Sequence, residues 1–500
     1  MVAGQIQLVS RNYQDLYLNH KPQITFFKLV YHKYSNFSHE LIPLLFNNDI
    51  DFGQKVSCKI SNNGDLIYKI YLNVILPSIP KSINKFAWVK KIGYLLIKNT
   101  ELEINNKVID KHYSDWFNIW HELIEERNTE NLNKMIGNIP ELYEYTNKKD
   151  SYELFIPLRF WFCNNIGLAL PLIAIYLNNI KINIEFNTLE NLLKKSSSHY
   201  ITIRDNVCNF KQGDIIYQGT NKDKKNIFYD FDYNTQRLYY TKYINFEPMT
   251  DIEYDINYDE NGYFNNNIYT ELDNKKIYND IGYFVYPTKD SPINNIIEYP
   301  ANININKGNL LVNYIYLNNN ERKKYLNSTH EYLIDLLQFR GQKFFYNNNF
   351  KIKSGFSQMS KEIYFISSFK NIKSGFIKDY FNYTNNINNK GTGLFKEIKI
   401  LFNGVMRNNI FNDVFYNYIN SYNYHSKNPS NGLYSYSFSL NPESSQPSGS
   451  CNFSKIDDIS FIFSTNDNIT HENNGLLNIY NNYYNILRIK DGMCGIMFSN

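Results

Sequence analysis

Between residues 55 and 110 apolar and polar positions alternate in short runs, KVSCKI, LIYKIYLNVIL, WVKKIGYLLI and ELEINNKVID. An alternation of this kind predicts a series of half-buried β-strands. In the last run Asn105-Asn106 separates two short strands. Asn tolerates the left-handed backbone that a two-residue hairpin turn demands, so a β-hairpin is expected there. Residues 111–126 break the pattern: Trp116, Ile119, Trp120, Leu123 and Ile124 recur three and four apart. That spacing predicts a short amphipathic helix crossing between strands, with its aromatic stripe packed into a core rather than offered to a ligand.

The block Phe155–Phe186, FIPLRFWFCNNIGLALPLIAIYLNNIKINIEF, is the most apolar part of the chain. Pro157, Arg159, Asn164, Asn165 and Pro171 interrupt it, so it reads as two buried strands around an Asn-Asn-Ile-Gly turn and not as a membrane span. From 187 to 306 Asn, Asp, Tyr and Lys become dense and apolar runs short, the pattern of a surface insertion made of loops and short strands. NLLVNYIYL at 309–317 restores a strand. In the following ERKKYLNSTHEYLIDLLQF, the positions Tyr325, Tyr332, Leu333, Leu336 and Leu337 predict a helix at 321–340 that links two β units. A second strand series, including EIYFISSF, LFKEIKILFNG, LYSYSFSL and DISFIFS, runs from 341 to the end.

Composition agrees with a β protein. The 500 residues hold 44 Tyr and 35 Phe but only 4 Trp, a bias that suits pleated, half-buried surfaces. Lys and Arg number 52 against 48 Asp and Glu, and no block of like charges occurs. Direct nucleic-acid binding through a basic tail is therefore not expected. Cys58, Cys163, Cys208, Cys451 and Cys494 are odd in number and scattered without a C-x-x-C pair, which argues against a disulfide framework or a zinc site. The opening MVAGQIQLVSRNYQDLY has no basic segment followed by an apolar stretch, so no secretory signal is expected, and synthesis in a reducing cytoplasm is. The glycosylation sequons at Asn36, Asn327, Asn382, Asn452 and Asn468 carry little weight in an Asn-rich chain.

Candidate chemistry is sparse. Glu101 and Glu103 share one face of a predicted strand, as paired catalytic acids would, but their alternation with Leu102 and Ile104 reads as an outward polar face. Asp110, His112, Asp115 and His121 could be imagined as metal ligands, yet the helix turns their side chains apart. A solvated helix start with Asp near its positive end is preferred. No phosphate loop, nucleophile elbow or zincin motif is present, and Gly391-Thr392-Gly393 precedes a strand and reads as a turn. No catalytic, cofactor-binding or metal residues are assigned.

Several blocks together carry a resemblance. They are IQLVSRNYQDLYLNHKPQITFFKLVYHKYSNFSHELI at 6–42, WVKKIGYLLIKNTELEINNKVIDKHYSDWFNIWHEL at 88–123, FWFCNNIGLALPLIAI, YIYLNNNERKKYLNSTHEYLIDLLQF, LFNGVMRNN at 401–409, YSYSFSLNPESSQPSGSCNFSKID at 434–457 and the ending NYYNILRIKDGMCGIMFSN. In that order the chain resembles the major capsid proteins of nucleocytoplasmic large DNA viruses. The resemblance implies an all-β double jelly roll, two tandem eight-stranded antiparallel sandwiches, with three chains forming a pseudo-hexagonal capsomer of an icosahedral shell. It implies an N-terminal arm at 1–24, a first roll at 25–320 with the insertion 187–306, a linker helix at 321–340 and a second roll at 341–500. The expected function is structural, in the virion, with assembly in the host cytoplasm and no enzymatic activity or cofactor. Expected partners are two further copies, neighbouring capsomers and minor capsid proteins, with glycans or a host surface met by the outer loops. A minor capsid paralogue and a carbohydrate-binding jelly roll are the alternatives. Pro442, Pro447 and Gly449 are expected to shape a stiff corner, and Gln23, Phe26, Phe27 and Tyr31 to anchor the entry into the first roll.

Overall fold

The computed structural model describes residues 5, 21, 34–81, 86–124, 128–195, 199–203, 208–210, 214–218, 225–232, 237–242, 277–279, 284–285, 303–305, 307–373, 378–385, 391–407, 412–466, 469 and 474–498. The expected arm at 1–24, two positions apart, and the anchors Gln23, Phe26, Phe27 and Tyr31 lie outside the described residues.

The N-terminal half folds from β1 (Phe37–Leu44), β2 (Lys55–Lys59), β3 (Leu66–Leu76), β4 (Phe86–Trp88), β5 (Ile97–Ile104), β6 (Lys107–Tyr113), β7 (Tyr152–Pro157), β8 (Ile180–Phe186) and β9 (Leu193–Lys195). Six short strands of the inserted span follow: β10 (His199–Thr202), β11 (Ile215–Gln218), β12 (Lys225–Asp232), β13 (Arg237–Lys242), β14 (Ile277–Asn279) and β15 (Phe284–Val285). The half closes with β16 (Lys307–Leu317). One sheet has the order β1-β16-β3-β7 and the facing sheet β2-β8-β5-β6, all antiparallel, while β4 and β9 pair at the side. Alternate residues of both sheets, among them Ile70, Leu72, Val74, Ile182, Ile184 and Leu102, fill the space between them.

The C-terminal half contains β17 (His330–Phe339), β18 (Lys343–Phe345), β19 (Asn349–Lys353), β20 (Met359–Phe369), β21 (Phe395–Phe402), β22 (Val405–Met406), β23 (Leu433–Ser437), β24 (Cys451–Asn452), β25 (Ile459–Thr465), β26 (Gly475–Lys490) and β27 (Met493–Ile496). Its sheets run β17-β26-β20-β23 and β19-β25-β21-β22, with β18, β24 and β27 as side pairings. Number the eight sandwich strands of each half in chain order, and both halves read 1-8-3-6 in one sheet and 2-7-4-5 in the other. First strand beside last, and the middle hairpin at the edge of the second sheet, is the jelly-roll wrapping. The molecule is a double jelly roll.

Local chemistry explains several elements. Asn105 and Asn106 have φ 51° and 61° and make the tight turn between β5 and β6; Asn403 and Gly404, at φ 48° and 82°, make the equivalent turn between β21 and β22. The helix at Ser114–Leu123 buries Trp116, Ile119 and Leu123, as its spacing predicts.

Four expectations need correction. WVKKIGYLLI is not one strand: after β4, Lys91 turns left-handed at φ 50° and Ile92–Leu96 is helical. Gly93 lies so close to the Ile136 carbonyl that a Cβ would approach within 2.9 Å of it. The Phe155–Phe186 block is not two strands around a turn; β7 ends at Pro157, a short helix spans Trp161–Asn164, and single helical turns cover Ile166–Leu168 and Leu172–Ala174 before β8. Asn165, which caps Gly167, and Pro171 break what would be the second strand. The linker helix stops early: Asn318 caps a helix at Asn319–Asn327, and His330–Phe339 is the strand β17. Ile334 and Leu336 face inward, while Leu337 and Phe339 pack on the other side, and a strand buried on both faces mimics helical spacing. Finally, the inserted span is not loop throughout. β10 to β15 form one sheet with its own apolar cluster, including Ile201, Ile216, Phe228 and Leu238, and Leu192, Leu193, Ile303 and Ile305 at its ends belong to the core of the first roll.

Candidate assembly surfaces

The sequence residues considered for metal or acid chemistry turn out to lie along the seam between the two rolls. The helix Ser114–Leu123 follows β6 directly and is laid across the outer face of the β17-β26-β20-β23 sheet. Trp116 meets Tyr364 edge-on at 5.5 Å, and Tyr113 packs on Phe339 at 4.9 Å. The apolar core of the first roll therefore continues onto Tyr364, Ile366, Leu433, Tyr480 and Leu487, whereas the second roll has a separate interior around Phe365, Phe395, Phe461 and Phe463. A sheet packed on both faces accounts for the near-continuous burial of β20 and β26.

Asp115 is not a solvated helix start. Its carboxylate accepts hydrogen bonds from the Asn478 amide at 2.7 Å, the Tyr480 hydroxyl at 3.2 Å and the Tyr383 hydroxyl at 3.3 Å, with Lys373 4.0 Å away. All four partners come from the second roll. Burial, and then the Asp115 charge, push the Tyr480 and Tyr383 phenols up, so both stay protonated and donate. Asp110 is buried too: it pairs with His112 at 2.9 Å and accepts from the Leu337 backbone N–H at 3.2 Å, another bond across the seam. His112 stacks on Phe160 at 4.9 Å. His121 lies near the Tyr94 hydroxyl at 3.4 Å, and burial and then the cations Lys91 and Lys427 depress its pKa to about 3. Lys91 donates to Asn118 and Glu122, each at 2.6 Å, while Glu122 accepts from the Ser430 N–H and the Lys427 N–H bonds the Leu123 carbonyl. These four acidic and basic residues are thus brought to one interface without converging on one point. Among the described residues no cluster of three or more His, Cys, Asp or Glu side chains is placed to hold a metal ion.

Glu101 and Glu103 sit on the outer face of the β2-β8-β5-β6 sheet, where Glu101 bridges Lys55 at 2.8 Å and Lys111 at 2.7 Å and Glu103 meets Lys181 at 3.2 Å. Burial raises the Glu101 pKa, but the two ammonium groups outweigh it and hold the carboxyl below its ordinary value. Charge ladders of this kind mark a solvated face. The corner at 440–449 is tied across its neck by Leu440 N–H to the Ser448 carbonyl at 3.2 Å and Asn441 N–H to Ser448 Oγ at 2.8 Å. Glu443 in that corner and Glu362 on β20 hold His425 at 3.4 and 2.7 Å; burial alone would lower the imidazole, but the two carboxylates raise it to about 9.

The seam partners on the second roll, Tyr383, Asn478 and Tyr480, were not singled out by sequence. The Asn and Tyr spread over both faces of GLLNIYNNYYNILRIK is the one signal, since a strand so polar on both sides needs buried partners. A stripe at Val414, Tyr418 and Tyr422, four residues apart, also went unread; all three are exposed.

A double sandwich locked by a buried seam, with charged outer faces and no convergent pocket chemistry, is the architecture of a shell-forming protein. Residues 25–233 match the family model described as the major capsid protein N-terminus, and residues 321–495 match that of the large eukaryotic DNA virus major capsid protein. A probable capsid protein 4 of Acanthamoeba polyphaga mimivirus is 36% identical over 100% of this chain and 99% of its own length. The major capsid protein of Pyramimonas orientalis virus is 28% identical over the full length of both chains. In fold, the chain is similar to a quasi-atomic model of the PBCV-1 virus capsid, with TM-score 0.64, 24% identity and coverage of 95% of this chain and 100% of that one. The Faustovirus major capsid protein superposes with TM-score 0.65 at 12% identity, covering 96% and 94%. The chain belongs to the major capsid protein family of the large eukaryotic DNA viruses.

Proposed function

We infer that this structural capsid protein works as a homotrimer, a pseudo-hexagonal tile of an icosahedral shell, with no catalytic activity of its own. The observation that supports this reading most is the identical strand order of the two rolls. Two similar bodies held rigidly side by side give three chains about six similar lateral faces, and such tiles cover a surface without gaps. As working units we propose the arm 1–24, a first roll at 25–320 and a second roll that takes in β17 as well as 341–500. The inserted sheet projects from the first roll toward the outside of the shell, where glycans or a host surface meet it; neighbouring capsomers and minor capsid proteins meet the sides. Synthesis and assembly take place in the host cytoplasm, without direct binding of the genome. Mass measurement of the purified chain with negative-stain imaging tests the reading. A stable monomer at micromolar concentration would count against it.

A further inference from the structure

In both rolls the connection between the fifth and sixth strands is helical. In the first it is Ser114–Leu123, the helix that carries the second roll. In the second it is a π-helical turn at Phe415–Ile419 continued by an α-helix at Asn420–Tyr424. The inner side of this second helix is fixed to its own roll: Asn417 donates to the Leu433 carbonyl at 2.8 Å and Asn420 to Ser435 Oγ at 2.8 Å. Its outer side carries Val414, Tyr418, Ile419 and Tyr422, exposed by 41%, 48%, 43% and 81%. Four neutral, largely apolar side chains aligned on one face form a surface that burial would stabilise.

A matching receptor exists on the other roll. Within the chain, the first helix rests on a row that crosses four strands of the second roll, Phe339, Tyr480, Tyr364 and Ser435. The same four strands of the first roll, in the same order, align Pro43, Leu311, Tyr71 and Pro157 on the outer side of β1, β16, β3 and β7. Their neighbours Ile42, Leu310, Leu72 and Ile156 point into the core, so this row points out. Leu41, on the same side of the edge strand β1, is 48% exposed. The opposite sheets of both rolls wear Lys–Glu and Lys–Asp pairs on their outer faces, Lys55–Glu101 and Lys181–Glu103 in one, Lys399–Glu397 and Lys353–Asp458 in the other. The apolar face is therefore the one whose counterpart is already used as a joint inside the chain.

We propose that the outward face of the Phe415–Tyr424 helix of one chain docks on the outer face of the β1-β16-β3-β7 sheet of the next. Between chains it repeats the helix-on-sheet joint made within each chain. The joint is heterologous, one surface meeting a different one, and such joints close into rings when the rotation allows. The proposal rests on the trimer reading above and names the surfaces that make it.

The test uses the full chain in three variants. Tyr418→Glu with Tyr422→Glu alters the helix face, Leu41→Lys the sheet face, and the third variant combines all three changes. Near-UV circular dichroism reports folding, and light scattering with dilution reports assembly. Each single-face variant is expected to stay folded and to weaken trimers on the order of 100-fold, as loss of hot-spot contacts does. In the combined variant Glu faces Lys at every joint, and trimers are expected to recover in part. Helix-face variants that trimerise as well as the unaltered chain overturn the joint and leave the trimer standing. So does a Leu41→Lys change that unfolds the monomer while the helix-face change leaves assembly intact, since the sheet face is then covered by a segment of its own chain. An unaltered chain that stays monomeric overturns the trimer reading and the joint with it.

Discussion

The Asp115 carboxylate lies 3.2 Å from the Tyr480 hydroxyl, so the crossing helix of one roll is bonded to the 16-residue strand of the other. With Asn478 and Tyr383 on the same carboxylate, three buried donors depend on one acceptor group. Asp115→Ala leaves all three unpaired, and a loss of about 3–5 kcal/mol is expected, the range for breaking buried charged networks. Asp115→Asn keeps the volume and one carbonyl oxygen and should cost less, about 1–2 kcal/mol. Urea unfolding of both variants decides it. A loss below about 0.5 kcal/mol for the alanine would show that the aromatic contacts hold the seam alone.

Trp161 opens the short helix after β7 and is buried, its ring edge-on to Phe162 at 5.3 Å. Truncation removes a large packed side chain from the first core, and Trp161→Ala is expected to cost about 3–5 kcal/mol. Thermal unfolding measures this directly; an unchanged midpoint would mean that the pocket is not packed around the indole.

What could be read from sequence follows the physics of each segment. One-sided burial leaves a period that survives in the residue pattern, so β2, β3, the Asn105-Asn106 hairpin and the Trp116 helix were legible. Two-sided burial erases it, which is why β17 looked helical with Leu333, Leu336 and Leu337 in place and why the Trp161–Asn164 turn looked like strand. The seam was less legible still. Asp115 and Asn478 are 363 positions apart, and nothing local at either residue indicates that it will be buried against the other. Its Asp and His residues therefore resembled a solvated cluster until the second roll was placed on them.

The inserted sheet has its own small core of Ile201, Ile216, Phe228, Leu238 and Ile277. A segment that buries its own apolar residues contributes little to the roll that carries it. Replacing 199–302 by a Gly/Ser linker, with Leu192, Leu193, Ile303 and Ile305 retained, is expected to leave trimers intact and the unfolding midpoint within a few degrees. Because loop-closure entropy grows slowly with length, linker length should matter little once the ends can meet. Insoluble product from several linker lengths would show that the inserted sheet is needed for the first roll to fold.

Two buried histidines set opposite limits to stability. His425, between Glu362 and Glu443, has its pKa raised from 6.5 to about 9. Its stabilisation is fully present below about pH 6.5 and fades as pH rises through 9, on the order of 3 kcal/mol in all. His121 is the reverse case: burial, Lys91 and Lys427 hold it neutral down to about 3, so stability is full above 6.5 and falls as the unfolded chain takes up the proton between 6.5 and 3. A stability maximum near pH 6.5 is expected from the pair. His425→Gln should flatten the alkaline limb alone, and His121→Gln the acid limb alone, in urea unfolding followed from pH 4 to 9.5. His121 lies beside the Lys427 contact that crosses the seam, whereas His425 ties β20 to the 440–449 corner within the second roll. Acid should therefore loosen the joint between rolls, and alkali the second roll itself. Limited proteolysis at the two pH extremes separates these outcomes: acid cleavage is expected to release two intact rolls, and an acid digest that instead degrades the second roll first would refute the assignment of His121 to the seam.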